Sequence, residues 1–250
     1  LGLLLLINSC KKDNTHNNNC KNLPIPSDTY KYPILPGTPQ WVALETTEKR
    51  WEACQIPYNV LNTISTEGLI QSWIDWPFTN NLFFSNSIQK SMEYQIANFS
   101  GLNELCKRNN AGAKLFERYK LMQPSCVATM PEEEQGFFTL SFTYPEYLLA
   151  QDTILNKMNL EEKKQVVAEA LKKLDEKLAH NSSFTRPSTL PSLFICAKVM
   201  KNCDYQPFVN ELTNLDLLWF VNNADFYMPT GDYPSEMNII LLQSSNFIKQ

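Results

Sequence analysis

Glycine and histidine are scarce in this chain: seven glycines and two histidines in 250 residues. So little glycine leaves scant material for phosphate-cradling loops or turn-rich sandwiches. No GxGxxG, GxxxxGK[ST] or GxSxG occurs, so the dinucleotide fingerprint, the P-loop and the nucleophile elbow are all missing. Two histidines cannot build a histidine-rich metal site, and neither HExxH nor CxxC is present. Excess positive charge is missing too. The formal net charge is −4, which argues against a nucleic-acid partner, since such proteins present a basic face to phosphate. The short basic pairs Lys107-Arg108 and Lys172-Lys173 have acidic neighbours and read as solvated helix faces.

Proline, by contrast, occurs 15 times, and 43% of residues are hydrophobic. That is ordinary globular composition, long enough for one large or two small domains. Few glycines with many prolines suit helices joined at proline-marked corners.

The opening stretch, LGLLLLINSCKKDNTHNNNC, carries the clearest functional signal. Leu1 to Ile7 is apolar but far shorter than the about 20 residues that span a bilayer. It reads as the remnant of a signal-peptide hydrophobic region (residues 1–9), with a basic leader expected before it. Ile7-Asn8-Ser9-Cys10 resembles the bacterial lipobox, in which a peptidase cuts before a cysteine that then carries acyl chains. Asn8 departs from the small or aliphatic residue usual there. Lys11 to Asn22 is polar, asparagine-rich and without apolar period, as a tether would be. Several acyl chains, each gaining about 0.8 kcal/mol per buried CH₂, would hold Cys10 firmly to a membrane.

Six cysteines follow: Cys20, Cys54, Cys106, Cys126, Cys196 and Cys203. Export permits disulfides, but a domain of this size does not need them. Cys196 and Cys203 on one helix would stand about 10.5 Å apart, beyond bridging distance. Mostly free, buried thiols are the favoured reading. A catalytic thiol would have only His180 for a partner, because His16 lies in the tether.

Residues 23–40 are proline-rich and extended, linking the tether to the domain with the option of lying on its surface, and complete a lipidated-cysteine and tether segment over 10–40 that leads to a single α-helical domain over 41–250. Helices are expected over Glu45–Cys54, from Pro57 through Leu61, after an N-cap at Ser65, and over Ser87–Phe99, Leu102–Arg108 and Ala111–Met122. Most of 132–150 reads as helical, although Phe137, Phe138, Leu140 and Phe142 admit a short strand. Asn159 and Glu162 make a capping-box start for the strongest helix, with Val167, Leu171, Leu174 and Leu178 as its apolar stripe and lysines and glutamates on its solvated faces. Leu190–Asn202, Pro207–Leu212 and Leu215–Asn223 follow, then a loop-like tail over 224–250 with an apolar patch at Ile239–Leu242. Helix pairs recur roughly every 40 residues without a residue-level repeat. The expected fold is all-α: irregular packed helical hairpins, with a solenoid-like α-α superhelix as the variant.

The phrases EKRWEACQIPYNVLNTISTEGLIQSWIDWPF, NFSGLNELCKRNNAGAKLFERYK and LLAQDTIL are similar to those of uncharacterised all-helical lipoproteins of gut Bacteroidetes. The likeness covers about residues 41–215. It implies a helical envelope lipoprotein and brings no catalytic or binding residues with it.

Trp73, Asp75 and Trp76 form the candidate ligand site: paired indoles beside a carboxylate could stack a sugar ring. The competing reading is core, because Leu69, Trp73 and Trp76 share one helix face, leaving Asp75 exposed. Glu132, Glu133 and Glu134 read as acids complementing a helix N-terminus rather than a general acid/base pair. Asp225, Asp232 and Glu236 lack the DxDxDG spacing of a calcium loop. The N-x-[ST] matches at Asn98 and Asn181 read as fortuitous in a bacterial export context. No catalytic residue, metal or cofactor is expected. The expected partners are the membrane, through Cys10, and a glycan or an envelope protein. The expected role is a non-enzymatic binding module of the outer-membrane envelope, with a carboxylate-dependent glycan hydrolase as the rival.

Overall fold

The computed structural model describes residues 20, 23–225 and 234–250. Cys10 and Asp232 lie outside them. Among the described residues the regular structure is entirely helical.

The first helices are short: α1 (Pro39–Ala43), α2 (Thr47–Ala53) and α3 (Tyr58–Leu61). Next come α4 (Thr66–Ile74), α5 (Ile88–Asn98), α6 (Ser100–Leu105) and α7 (Ala111–Leu121). Ser65 caps α4 by accepting the Gly68 N–H, and Ser87 caps α5 by accepting that of Lys90. A tight 3-10 turn over Thr79–Phe83 joins these two helices. Then follow α8 (Glu132–Ser141), α9 (Thr143–Leu149) and α10 (Asp152–Leu155). The strand alternative over 137–142 is therefore helix, and Glu132, Glu133 and Glu134 occupy the first turn of α8, where acids complement the helix dipole.

α11 (Leu160–Ala179) begins in the capping box expected for it: Glu162 N–H donates to Asn159 Oδ1 at 3.0 Å, and Asn159 N–H to Glu162 Oε2 at 2.7 Å. Its buried face differs from the expected stripe. Val167 and Leu174 are buried as expected, but Leu178 is 51% exposed, and Val166, Ala170, Lys173 and Lys177 join the buried face. The helix is rotated by about one residue, because two lysines find polar partners inside the protein.

α12 (Arg186–Asn202) is buried almost all round from Ser188 to Met200, as a helix does when it has neighbours on every side. It packs against α9, α11 and α15, with α13 (Gln206–Val209) and α14 (Leu215–Asn223) at its end. α5 also touches α9 and α14, far from it in sequence. This is the irregular packed form, since solenoid repeats touch only their neighbours.

Two expectations are corrected. The tail holds a 14-residue helix, α15 (Pro234–Phe247). Ile240, Ser244 and Phe247 are buried on one face, at steps of four and three, toward α12. The ordered body also begins before residue 41. Tyr30 N–H donates to Ser72 Oγ and the buried Tyr32 hydroxyl to Ser72 O, both at 2.8 Å. Asp28 accepts the Ser65 backbone N–H at 2.6 Å and its hydroxyl at 3.1 Å. Gly68 makes this close approach possible: a Cβ there would lie 2.6 Å from Asp28 Oδ1. Residues 23–35 are thus a strap bonded to α4, not part of a free tether.

Candidate functional site

Trp73 and Trp76 lie in the core. Trp73 Nε1 donates to Gln95 Oε1 at 3.0 Å, and Trp76 Nε1 to Cys54 O at 3.1 Å. Trp76 stacks on Phe99 with centroids 4.2 Å apart. Neither ring has a face open to a sugar, so the platform of Trp73, Asp75 and Trp76 is corrected to a core anchor. Asp75 is exposed and accepts from Gln71 Nε2 at 2.8 Å.

The densest chemistry is closed off from solvent. Lys177 Nζ contacts Glu146 Oε1 at 2.7 Å, Ser188 O at 2.8 Å and Ser192 Oγ at 3.0 Å. The Ser192 and Tyr119 hydroxyls both donate to Glu146 Oε1 at 2.7 Å. Burial pushes the Lys177 ammonium down, with Glu146 opposing, and pushes the Tyr119 hydroxyl up. A Ser–Lys–Glu constellation has the outline of an activated nucleophile. Here every oxygen and nitrogen of the pair is engaged and both side chains are fully buried, so the cluster works as a polar core. Lys173 does likewise, pairing with Glu169 at 2.9 Å, donating to Met122 O and lying 4.9 Å over the Tyr119 ring.

Cys20 is disulfide-bonded to Cys126, which the reading of mostly free thiols did not single out. Cys54, Cys106, Cys196 and Cys203 are free. Glu236 is engaged by Asn214 and Ser235, and no metal-ligating cluster is found among the described residues.

An open, mixed aromatic and polar cleft of about 270 Å³ lies between α2 and α5, lined by Trp51, Asn81, Ser85, Lys90, Ser91, Tyr94 and Gln95. Trp51 and Tyr94 meet edge to face at 5.7 Å, and Tyr94 is 59% exposed. The Trp51 ring is held from behind by Trp76 and Phe78 and by its own N–H donating to Asn98 O. Among the described residues the Asn81 amide, the Lys90 ammonium and the Tyr94 hydroxyl have no side-chain partner, which leaves them to a ligand. Sequence reasoning missed this cleft. Its residues come from three separated segments, and no spacing rule joins Trp51 to Tyr94.

Protein-family models, curated proteins and solved structures all give no match to the chain. Its site is therefore read from its own geometry.

Proposed function

We propose that the protein is an exported lipoprotein, anchored through Cys10 in the outer-membrane envelope, that binds a sugar ring in the Trp51–Tyr94 cleft. The observation that carries export is the Cys20–Cys126 disulfide, because such bonds persist in oxidising compartments. It also shortens the leash. Nine residues separate Cys10 from the pinned Cys20, and the ten Cα–Cα steps between them reach at most about 35 Å. The resemblance to gut Bacteroidetes lipoproteins points the same way.

The ligand class follows from the cleft. Aromatic rings pack against the apolar C–H face of a sugar, and amide, hydroxyl and ammonium groups meet its hydroxyls. Among the described residues Lys90 is the one charged side chain lining it, which favours a sugar bearing a carboxylate or sulfate. The rival hydrolase would need a pair of carboxylates flanking the scissile bond, and among the described residues none lines this cleft.

Two experiments test the reading. Fatty-acid labelling should mark the wild-type chain and not Cys10→Ala; equal label in both defeats the anchor. A glycan array should then show binding that Tyr94→Ala and Lys90→Ala both lose while their melting temperatures hold. Release of reducing sugar by the wild-type protein would instead favour the hydrolase.

A further inference from the structure

Beneath the strap lies a second kind of opening, about 210 Å³, walled by Leu23, Pro24, Ile25, Pro26, Ile70 and Leu121. Glu67, Lys114, Glu117 and Arg118 stand at its edge. Lys114 is committed, 3.0 Å from Glu67 and 3.1 Å from Glu117. Arg118 is not. Its Nε–H is buried with no acceptor, and no carboxylate lies within ion-pair distance among the described residues. Burial pushes the guanidinium down, with Asp75 opposing it only from longer range. A buried donor left unmade is a standing cost that a bound acceptor would relieve.

Leu23 and Leu121 also line a second cleft of about 200 Å³, walled further by Met122, Met130, Phe138, Phe142 and the Cys20–Cys126 bridge. Among the described residues no charged side chain lines it. One end of the trench thus offers an unspent cation, and the other offers mostly apolar and sulfur-bearing walls, with Gln123 and Ser141 as its polar side chains.

We propose that this trench binds a long-chain carboxylate, with its acid on Arg118 and its acyl chain laid past Leu23 and Leu121 into the cleft beside the disulfide. A guanidinium recognises a carboxylate through paired N–H donors, which a neutral head cannot reproduce. The methylenes gain from leaving water, and methionine side chains adapt to their shape. A peptide fits less well, because only Gln123 and Ser141 in the second cleft are available to its amides. This site is separate from the Trp51–Tyr94 cleft, and its fate does not decide the glycan reading.

The test uses the full chain carrying Cys10→Ala, purified without detergent, titrated calorimetrically with laurate and with dodecanol. The two share a tail and differ in the head. The wild-type site should take one laurate and prefer it at least about tenfold over dodecanol. Arg118→Met should erase that preference by weakening laurate alone, and Leu121→Asp should weaken both. Absence of laurate binding, or equal affinity for the two ligands in the wild-type site, overturns the proposal. The wild-type ratio decides the matter even where a variant fails to fold. Laurate binding untouched by a folded Arg118→Met variant overturns it as well.

Discussion

Lys177 Nζ stands 2.7 Å from Glu146 Oε1 and 2.8 Å from Oε2, with both side chains wholly withdrawn from water. The pair ties α11 to α9, and Ser192 brings in α12. Removing one partner strands the other charge in the core, so Lys177→Met and Glu146→Leu should each cost about 3–5 kcal/mol. The double replacement Lys177→Met/Glu146→Leu should cost clearly less than the sum, since no charge is then left unpaired. Urea unfolding of the four proteins measures this. Strict additivity would mean that the pair is not coupled as its geometry implies.

Trp73 and Trp76 anchor the other half of the molecule. Truncating either to Ala should cost about 3–5 kcal/mol, as large aromatic core deletions do. Asp75→Ala, on the exposed side of the same helix end, should stay within about 0.5 kcal/mol. Thermal melts that place the three variants together would refute the core assignment.

These two cases show what sequence makes legible. Caps are local, so Ser65, Ser87 and Asn159 start their helices where the spacing places them. The Trp73 and Trp76 face is a helical period, equally local. Lys177 is not local. It and Glu146 are 31 residues apart, and a lysine in a charge-rich helix ordinarily faces water. The one available hint was Glu146 itself, an acid set within Tyr-Pro-Glu-Tyr-Leu-Leu, which burial of that segment would force to find a partner. α15 was hidden by the aromatic, proline-bearing stretch before it. The strap was hidden because extended chain held by single side-chain bonds has no period to detect. The Trp51–Tyr94 cleft and the Arg118 trench both depend on how separate elements pack.

The Cys20–Cys126 bridge closes a long loop, with a sequence separation of 106. Cys126→Ser should lower stability by about 2–4 kcal/mol, and adding Cys20→Ser should cost little more. Reductant should shift the wild-type melt and leave the double variant unmoved. Burial pushes the thiols of Cys54 up to about 11 and of Cys196 up to about 12, so both should resist alkylation in the native protein. The partly exposed Cys106 and Cys203 should react first, which peptide mass mapping after brief labelling will report.

The strap should be the acid-sensitive part of the fold. Asp28 is held below its ordinary value of 3.8, first by the Ser65 backbone N–H, which outweighs the opposing desolvation, with the Ser65 hydroxyl adding a smaller share. A depressed folded value means the folded state binds fewer protons than the unfolded chain near that pH. The stabilisation is therefore complete above the ordinary carboxylate range and is lost as pH falls through the depressed value. Asp28→Asn removes it at every pH, so the melting temperature of this variant should converge on that of the wild type from about pH 4 downward. Gly68→Ala should loosen the strap at neutral pH, because the added Cβ would lie 2.6 Å from Asp28 Oδ1 and 2.7 Å from Ile64 Cγ2. Limited proteolysis within residues 23–35 is the direct readout. Acidified wild type and neutral Gly68→Ala should both be cut there faster than the neutral wild type. Wild-type and Asp28→Asn melts that stay parallel down to about pH 3 would show that Asp28 does not hold the strap.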